Sequence, residues 1–131
     1  MKKMFQCLIL ISLFITSCHN HDDEGVYVVN IVINKPTVNQ TVTKNTVMPI
    51  DVSMTRDDKG VIHNVKMEIV NATSSATVET LLDKHHHESG TFNYIEAAYK
   101  PQTVGSFKLK ITVTDDDKLQ PNVKEVAFSV N

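Results

Sequence analysis

Tryptophan is absent from this 131-residue chain, and its other aromatics are five Phe and three Tyr. A flat platform for stacking sugar rings is therefore hard to assemble. Phe92, Tyr94 and Tyr99 are the one aromatic group close together in sequence, and core packing is their expected use. Cysteine occurs twice, at Cys7 and Cys18, both at the N-terminal end, so a cysteine-ligated metal centre within the later part of the chain is excluded. Glycine occurs four times, and no phosphate-cradling glycine loop is present. Gly-x-Ser-x-Gly and His-Glu-x-x-His are missing too. Scattered Ser, His and Asp residues have no spacing that assigns them triad roles. The expected class is non-enzymatic. Basic charge is not in excess either: 13 Lys and Arg face 15 Asp and Glu, against the basic face that a nucleic-acid partner requires.

What is present begins at the N-terminus. Met1-Lys2-Lys3-Met4 leads into an apolar run from Phe5 to Ile15, then Thr16-Ser17-Cys18 and the polar His19-Asn20-His21-Asp22-Asp23-Glu24. A basic start, a short apolar core and small residues before an abrupt polar switch make a secretory signal. The run falls short of the roughly 20 apolar residues that cross a bilayer. Ile15-Thr16-Ser17-Cys18 resembles the lipobox of bacterial lipoproteins. The resemblance implies cleavage after Ser17 and acylation of Cys18. Each buried methylene of an acyl chain adds about 0.8 kcal/mol, so two or more chains anchor stably. Cys7 leaves with the signal and Cys18 carries lipid, so no disulfide is expected. The acidic residues Asp22-Asp23-Glu24 resemble the export signal of Bacteroidota-type lipoproteins bound for the outer face of the outer membrane. They also suit a solvated linker. The expected organisation is a signal peptide over 1–17, a lipidated tether over 18–25 and one domain over 26–131. Its expected location is the outer membrane, facing the periplasm or the cell surface.

From residue 26 onward the periodicity is that of strands. Val26–Asn34 is rich in Val and Ile and stops at Pro36. Ile50, Val52 and Met54 alternate with polar residues, as do Val65, Met67 and Ile69. Val78–Leu82 and Thr91–Tyr99 are weaker strands. Phe107–Val113 alternates strictly, and Val126, Phe128 and Val130 close the chain. Turn residues separate these runs at 56–60, 88–90, 102–105 and 115–118. About seven short strands so spaced predict an all-β fold, an Ig-like antiparallel β-sandwich. Val52, Met67, Leu109, Ile111 and Phe128 are its expected core.

Gly105-Ser106-Phe107-Lys108-Leu109-Lys110-Ile111-Thr112-Val113-Thr114-Asp115 resembles the penultimate strand of bacterial Ig-like domains, PKD and fibronectin-III-like modules among them. Val52–Val61 is similar to their second strand and the turn after it. The buried Trp and paired cysteines of antibody domains are missing, which excludes that branch. A closer resemblance, over most of the mature chain, is to Bacteroidota Ig-like surface lipoproteins of unknown function. It rests on the Asp57-Asp58-Lys59-Gly60 turn, the Val65–Val70 strand, Asp83-Lys84-His85-His86-His87 and the late strand from Gly105. The strand ends Glu68-Ile69-Val70, where that family has a His, and the cluster holds three consecutive histidines. The resemblance implies an architecture and a histidine site, and it supplies no activity.

Imidazole is a common ligand of zinc, copper and nickel. In an extended segment His85 and His87 point to one side, about 6.6 Å apart along the strand, and His86 to the other. Tight binding takes three or four ligands. His63, Asp83 and Glu88 are the further candidates, beside His86. A polar loop with no selective site is the other reading of this run. Asp57-Asp58 and Asp115-Asp116-Asp117 can offer oxygens to calcium, but neither fits an EF-hand loop, and acidic turns commonly join strands. Two functions remain: a membrane-anchored metal-binding module, or an adhesion or assembly module that docks a glycan or a protein through an Ig-like face. For the anchor the expectation is direct. Wild-type protein partitions into detergent, and Cys18→Ala gives a soluble or unprocessed product. Mass spectrometry finding an unmodified N-terminus at Cys18 refutes the lipid.

Overall fold

The structure, a computed structural model, describes residues 27–56, 58, 60–115 and 120–131, and of His86 the backbone alone. The signal, the tether, Cys18, His19 and His21 lie outside the described residues. Eight strands are present among those described: β1 (Asn30–Lys35), β2 (Gln40–Val42), β3 (Ile50–Thr55), β4 (Val61–Asn71), β5 (Thr77–Ser89), β6 (Thr91–Glu96), β7 (Gly105–Thr114) and β8 (Asn122–Val130). One sheet has the order β1-β3-β6 and the other β2-β8-β7-β4-β5. Two sheets in this order, with neighbours drawn from distant parts of the chain, form an Ig-like β-sandwich.

Alternation explains the strands. β3 buries Ile50, Val52 and Met54 and turns Asp51 and Ser53 outward. β7 buries Phe107, Leu109, Ile111 and Val113, and β8 buries Val126, Phe128 and Val130. These rows meet Val65, Met67 and Ile69 of β4 in a single core. Phe107 and Phe128 are directly opposed in the β7–β8 ladder, with ring centroids 5.8 Å apart. All five expected core residues are buried. Gly90 joins β5 to β6 at φ 79°, a left-handed conformation that glycine adopts without steric cost.

Two corrections concern the N-terminal third. The expected seven antiparallel strands are eight, and β2 pairs with β8 in parallel. The cause is the buried Pro36: the chain leaves β1 there and crosses to the other sheet. Gln-Thr-Val is too short and too polar for alternation to reveal it. The first strand also starts later than expected, at Asn30, and Val26 is outside the described residues. Tyr27–Val29 run alongside β8 without joining its ladder. Asn122 holds them, donating from Nδ2 to the Tyr27 carbonyl (3.0 Å) and accepting the Val29 N–H at Oδ1 (3.1 Å).

β4 is buried on both faces towards its C-terminal end, where Met67, Glu68, Ile69 and Val70 are all covered. Glu68 keeps its charge there through Lys66 Nζ at 2.9 Å and the Thr77 hydroxyl, which donates to it at 2.8 Å. The hydrogen bond with Lys66 is the main reason that its carboxyl stays below the usual range, against the opposing effect of burial.

Replacing Ile111 by Ala is expected to cost about 2–5 kcal/mol in denaturant unfolding, through lost burial and a residual cavity. A loss under about half a kilocalorie contradicts its core position. Glu68→Gln has a pH signature. A carboxyl whose pKa is lowered on folding adds stability above its unfolded value, about 4.3, and loses it as pH falls through the folded value. The variant should be about 1–2 kcal/mol less stable at neutral pH, a charged hydrogen bond discounted for solvent at Lys66. The gap should close in strong acid. A gap that persists at low pH refutes the ion-pair account.

Candidate metal centre

The histidine run was expected either to be extended or to form a polar loop; it is strand. β5 continues past Leu82 to Ser89 and forms an edge of the five-stranded sheet, antiparallel to β4. Its ladder with β4 shifts register at three places, one of them among the histidines. Ile62 pairs with Glu88 and Asn64 with His85, so His86 and His87 together oppose His63. This is a β-bulge, two residues against one, a device that re-aims side chains at sheet edges and beside functional sites. His63 belongs to β4 itself and not to the preceding turn.

The geometry that follows brings three imidazoles together. The His85 and His87 rings stand edge to face with centroids 4.5 Å apart, and their Nε2 atoms are 2.9 Å apart. The ring of His63 lies 5.4 Å from that of His87 and 6.0 Å from that of His85. One nitrogen from each ring falls within 4.8 Å of the other two. Two nitrogens bound at 2.0–2.1 Å to a tetrahedral ion stand about 3.3 Å apart. The His85–His87 pair, at 2.9 Å, is closer than that spacing, and no pair of the three exceeds 4.8 Å.

Outer partners hold these rings. Asn64, facing His85 in the ladder, places Oδ1 2.5 Å from His85 Nδ1. Asp115, just past β7, places Oδ1 3.6 Å from His63 Nε2. The His63 backbone N–H donates to the Tyr27 hydroxyl at 3.2 Å. Burial is the main influence raising the pKa of that hydroxyl, so it stays protonated at neutral pH. The guanidinium of Arg56 lies 4.6 Å from the Tyr27 ring centroid, donates to the Val61 carbonyl at 2.9 Å and pairs with Asp58. The start of β4, and with it His63, is thus pinned from two sides.

His63, His85 and His87 converge, as the metal reading requires. Asp83 and Glu88 do not join them. Asp83 faces Lys66, two residues further along β5, and Glu88 faces Ile62. The His86 side chain is outside the described residues. Asp58, proposed for calcium, is engaged by Arg56 and accepts the Gly60 N–H at 2.9 Å; Asp57, Asp116 and Asp117 are outside the described residues. Phe92, Tyr94 and Tyr99 pack against the core, as expected. Tyr99 also donates to Glu79 at 3.0 Å. A cavity of about 170 Å³ opens beside Tyr99, floored by Ile69, Phe107 and Phe128, away from the histidines. Asn64 and Tyr27 were not foreseen as parts of the site, and Asp115 was read only for calcium. Their places depend on strand register, which no local pattern encodes.

No family model matches the chain, and no curated protein matches it in sequence. Solved structures are similar in shape. A family 123 glycoside hydrolase from Clostridium perfringens matches over 79% of this chain and 27% of its own, with 10% identity and a TM-score of 0.50. The fibronectin(III)-like modules of Clostridium thermocellum CbhA match over 77% of this chain and 94% of theirs, with 14% identity and a TM-score of 0.45. The CARDB domain of a Pyrococcus furiosus protein, in complex with di-metal ions, matches over 79% and 88%, with 13% identity and a TM-score of 0.49. Likeness at such identities concerns fold alone. By its strand order the chain is an all-β, Ig-like β-sandwich.

Proposed function

We propose that this chain is a lipid-anchored, non-catalytic Ig-like module of the outer membrane that binds one divalent transition-metal ion through His63, His85 and His87. The observation that carries the metal reading is the convergence of three imidazoles from two strands at a bulge, with nitrogens spaced for a common ion. A polar loop would not need that register. All-nitrogen donors suit zinc, copper or nickel and not calcium or magnesium, which take oxygens. The lipobox at Ile15–Cys18 and the acidic tether support the anchor and a periplasmic or cell-surface position. Within this reading Cys18 carries the lipid, and the domain beyond the tether meets metal in an exported compartment.

Calorimetric titration of untagged protein with zinc, copper and nickel tests the site. Saturable one-to-one binding in the micromolar range or tighter is expected. His85→Ala with His87→Ala should abolish it, and His63→Ala should weaken it at least about tenfold by leaving two imidazoles where tight sites use three or four ligands. Protons compete for imidazole nitrogens, so affinity should fall steeply below about pH 6. Unchanged affinity in the double variant sinks the metal site. Docking of a glycan or protein through the Ig-like face is then the better account.

A further inference from the structure

Building on the metal reading above, we propose that Asn64 is a positioning residue that fixes the tautomer of His85 and thereby aims the Nε2 lone pair at the ion. Asn64 sits directly opposite His85 in the β4–β5 ladder, with Oδ1 2.5 Å from Nδ1. A carboxamide oxygen only accepts hydrogen bonds, so the nitrogen facing it must carry the hydrogen. A neutral imidazole has one N–H, which leaves the lone pair on Nε2. That atom points into the cluster, 2.9 Å from His87 Nε2.

His87 follows from this assignment. With a lone pair on His85 Nε2, the close contact is a hydrogen bond donated by the Nε2–H of His87. An ion enters where that hydrogen lies, and a neutral His87 ring offers it the same nitrogen by carrying its hydrogen on Nδ1 instead. Asn64 therefore presents one ligand ready-made, and the two rings share one place between hydrogen and metal. Ligating histidines generally have such an outer acceptor, which sets ring orientation and raises affinity. Asp115 Oδ1, 3.6 Å from His63 Nε2, lies beyond hydrogen-bonding distance of that nitrogen.

Imidazole ¹⁵N spectra of the metal-free full chain in detergent micelles, at a pH where the rings are neutral, read the tautomer directly. His85 should be protonated at Nδ1. Asn64→Leu should return it to the Nε2–H form that imidazole favours in water, and Asn64→Asp, which keeps an acceptor oxygen, should preserve Nδ1–H. In zinc titrations of the same proteins Asn64→Leu should weaken binding about 10- to 100-fold and Asn64→Asp should restore it. An Nε2–H tautomer in wild type overturns the proposal, because the amide then donates to Nδ1. So does a Leu variant that binds zinc as tightly as wild type. Wild type that shows Nδ1–H but takes up no zinc overturns the metal reading while supporting the Asn64–His85 hydrogen bond, so the two failures are distinct.

Discussion

The register of β4 is the constraint on which the rest of the structure depends. β4 hydrogen-bonds to β5 on one side and β7 on the other, and its inward row of Val65, Met67 and Ile69 lies in the core between the sheets. A slip of one residue would turn that row to solvent, so burial locks the pairing. Once it is locked, Asn64 faces His85 and Thr114 together, and His63 comes to the end of β7 beside Asp115. The site is a by-product of core packing.

Its position at a bulge on an edge strand has two consequences. A regular ladder would give His63 one partner and hold the neighbouring side chains to strict alternation. The extra residue sets His87 as well as His86 against His63, so the His85–His87 pair, already on one side of the strand, lies beside the His63 ring. The edge also leaves His85 and His87 exposed, so an ion can enter without the sandwich opening. An edge strand is a liability for aggregation. Asp83, Lys84 and Glu88 charge this one along the same stretch that carries the histidines.

No cysteine lies among the described residues, so within them the two sheets are held by packing and polar contacts. The core joins Met48, Ile50, Val52 and Met54 of one sheet region to Ile62, Leu109, Ile111 and Val113 of the other, all essentially inaccessible to solvent. The buried carboxylate of Glu68 is paired with Lys66 and Thr77. Side chains also stand in for missing strand partners: Asn122 takes both a carbonyl and an N–H of the segment before β1. Such polar clasps fix loops that too few apolar contacts would hold.

Strand periodicity is a local property, because inward and outward faces alternate along a single chain, and so β3, β7, β8 and the five core residues were legible from composition and spacing. The His-x-His pair was legible for the same reason. The parallel β2 was not, since three residues, two of them polar, are too few to show alternation and their pairing depends on where Pro36 sends the chain. Nor were the bulge, the approach of His63 to that pair or the roles of Asn64, Asp115 and Tyr27. Those follow from which strand lies beside which and in what register, set by how two hydrophobic faces close on each other across 20 to 90 residues of intervening chain. The sequence by itself determined a sandwich and a run of three histidines; only the tertiary structure decided that the run is strand and that His63 meets it.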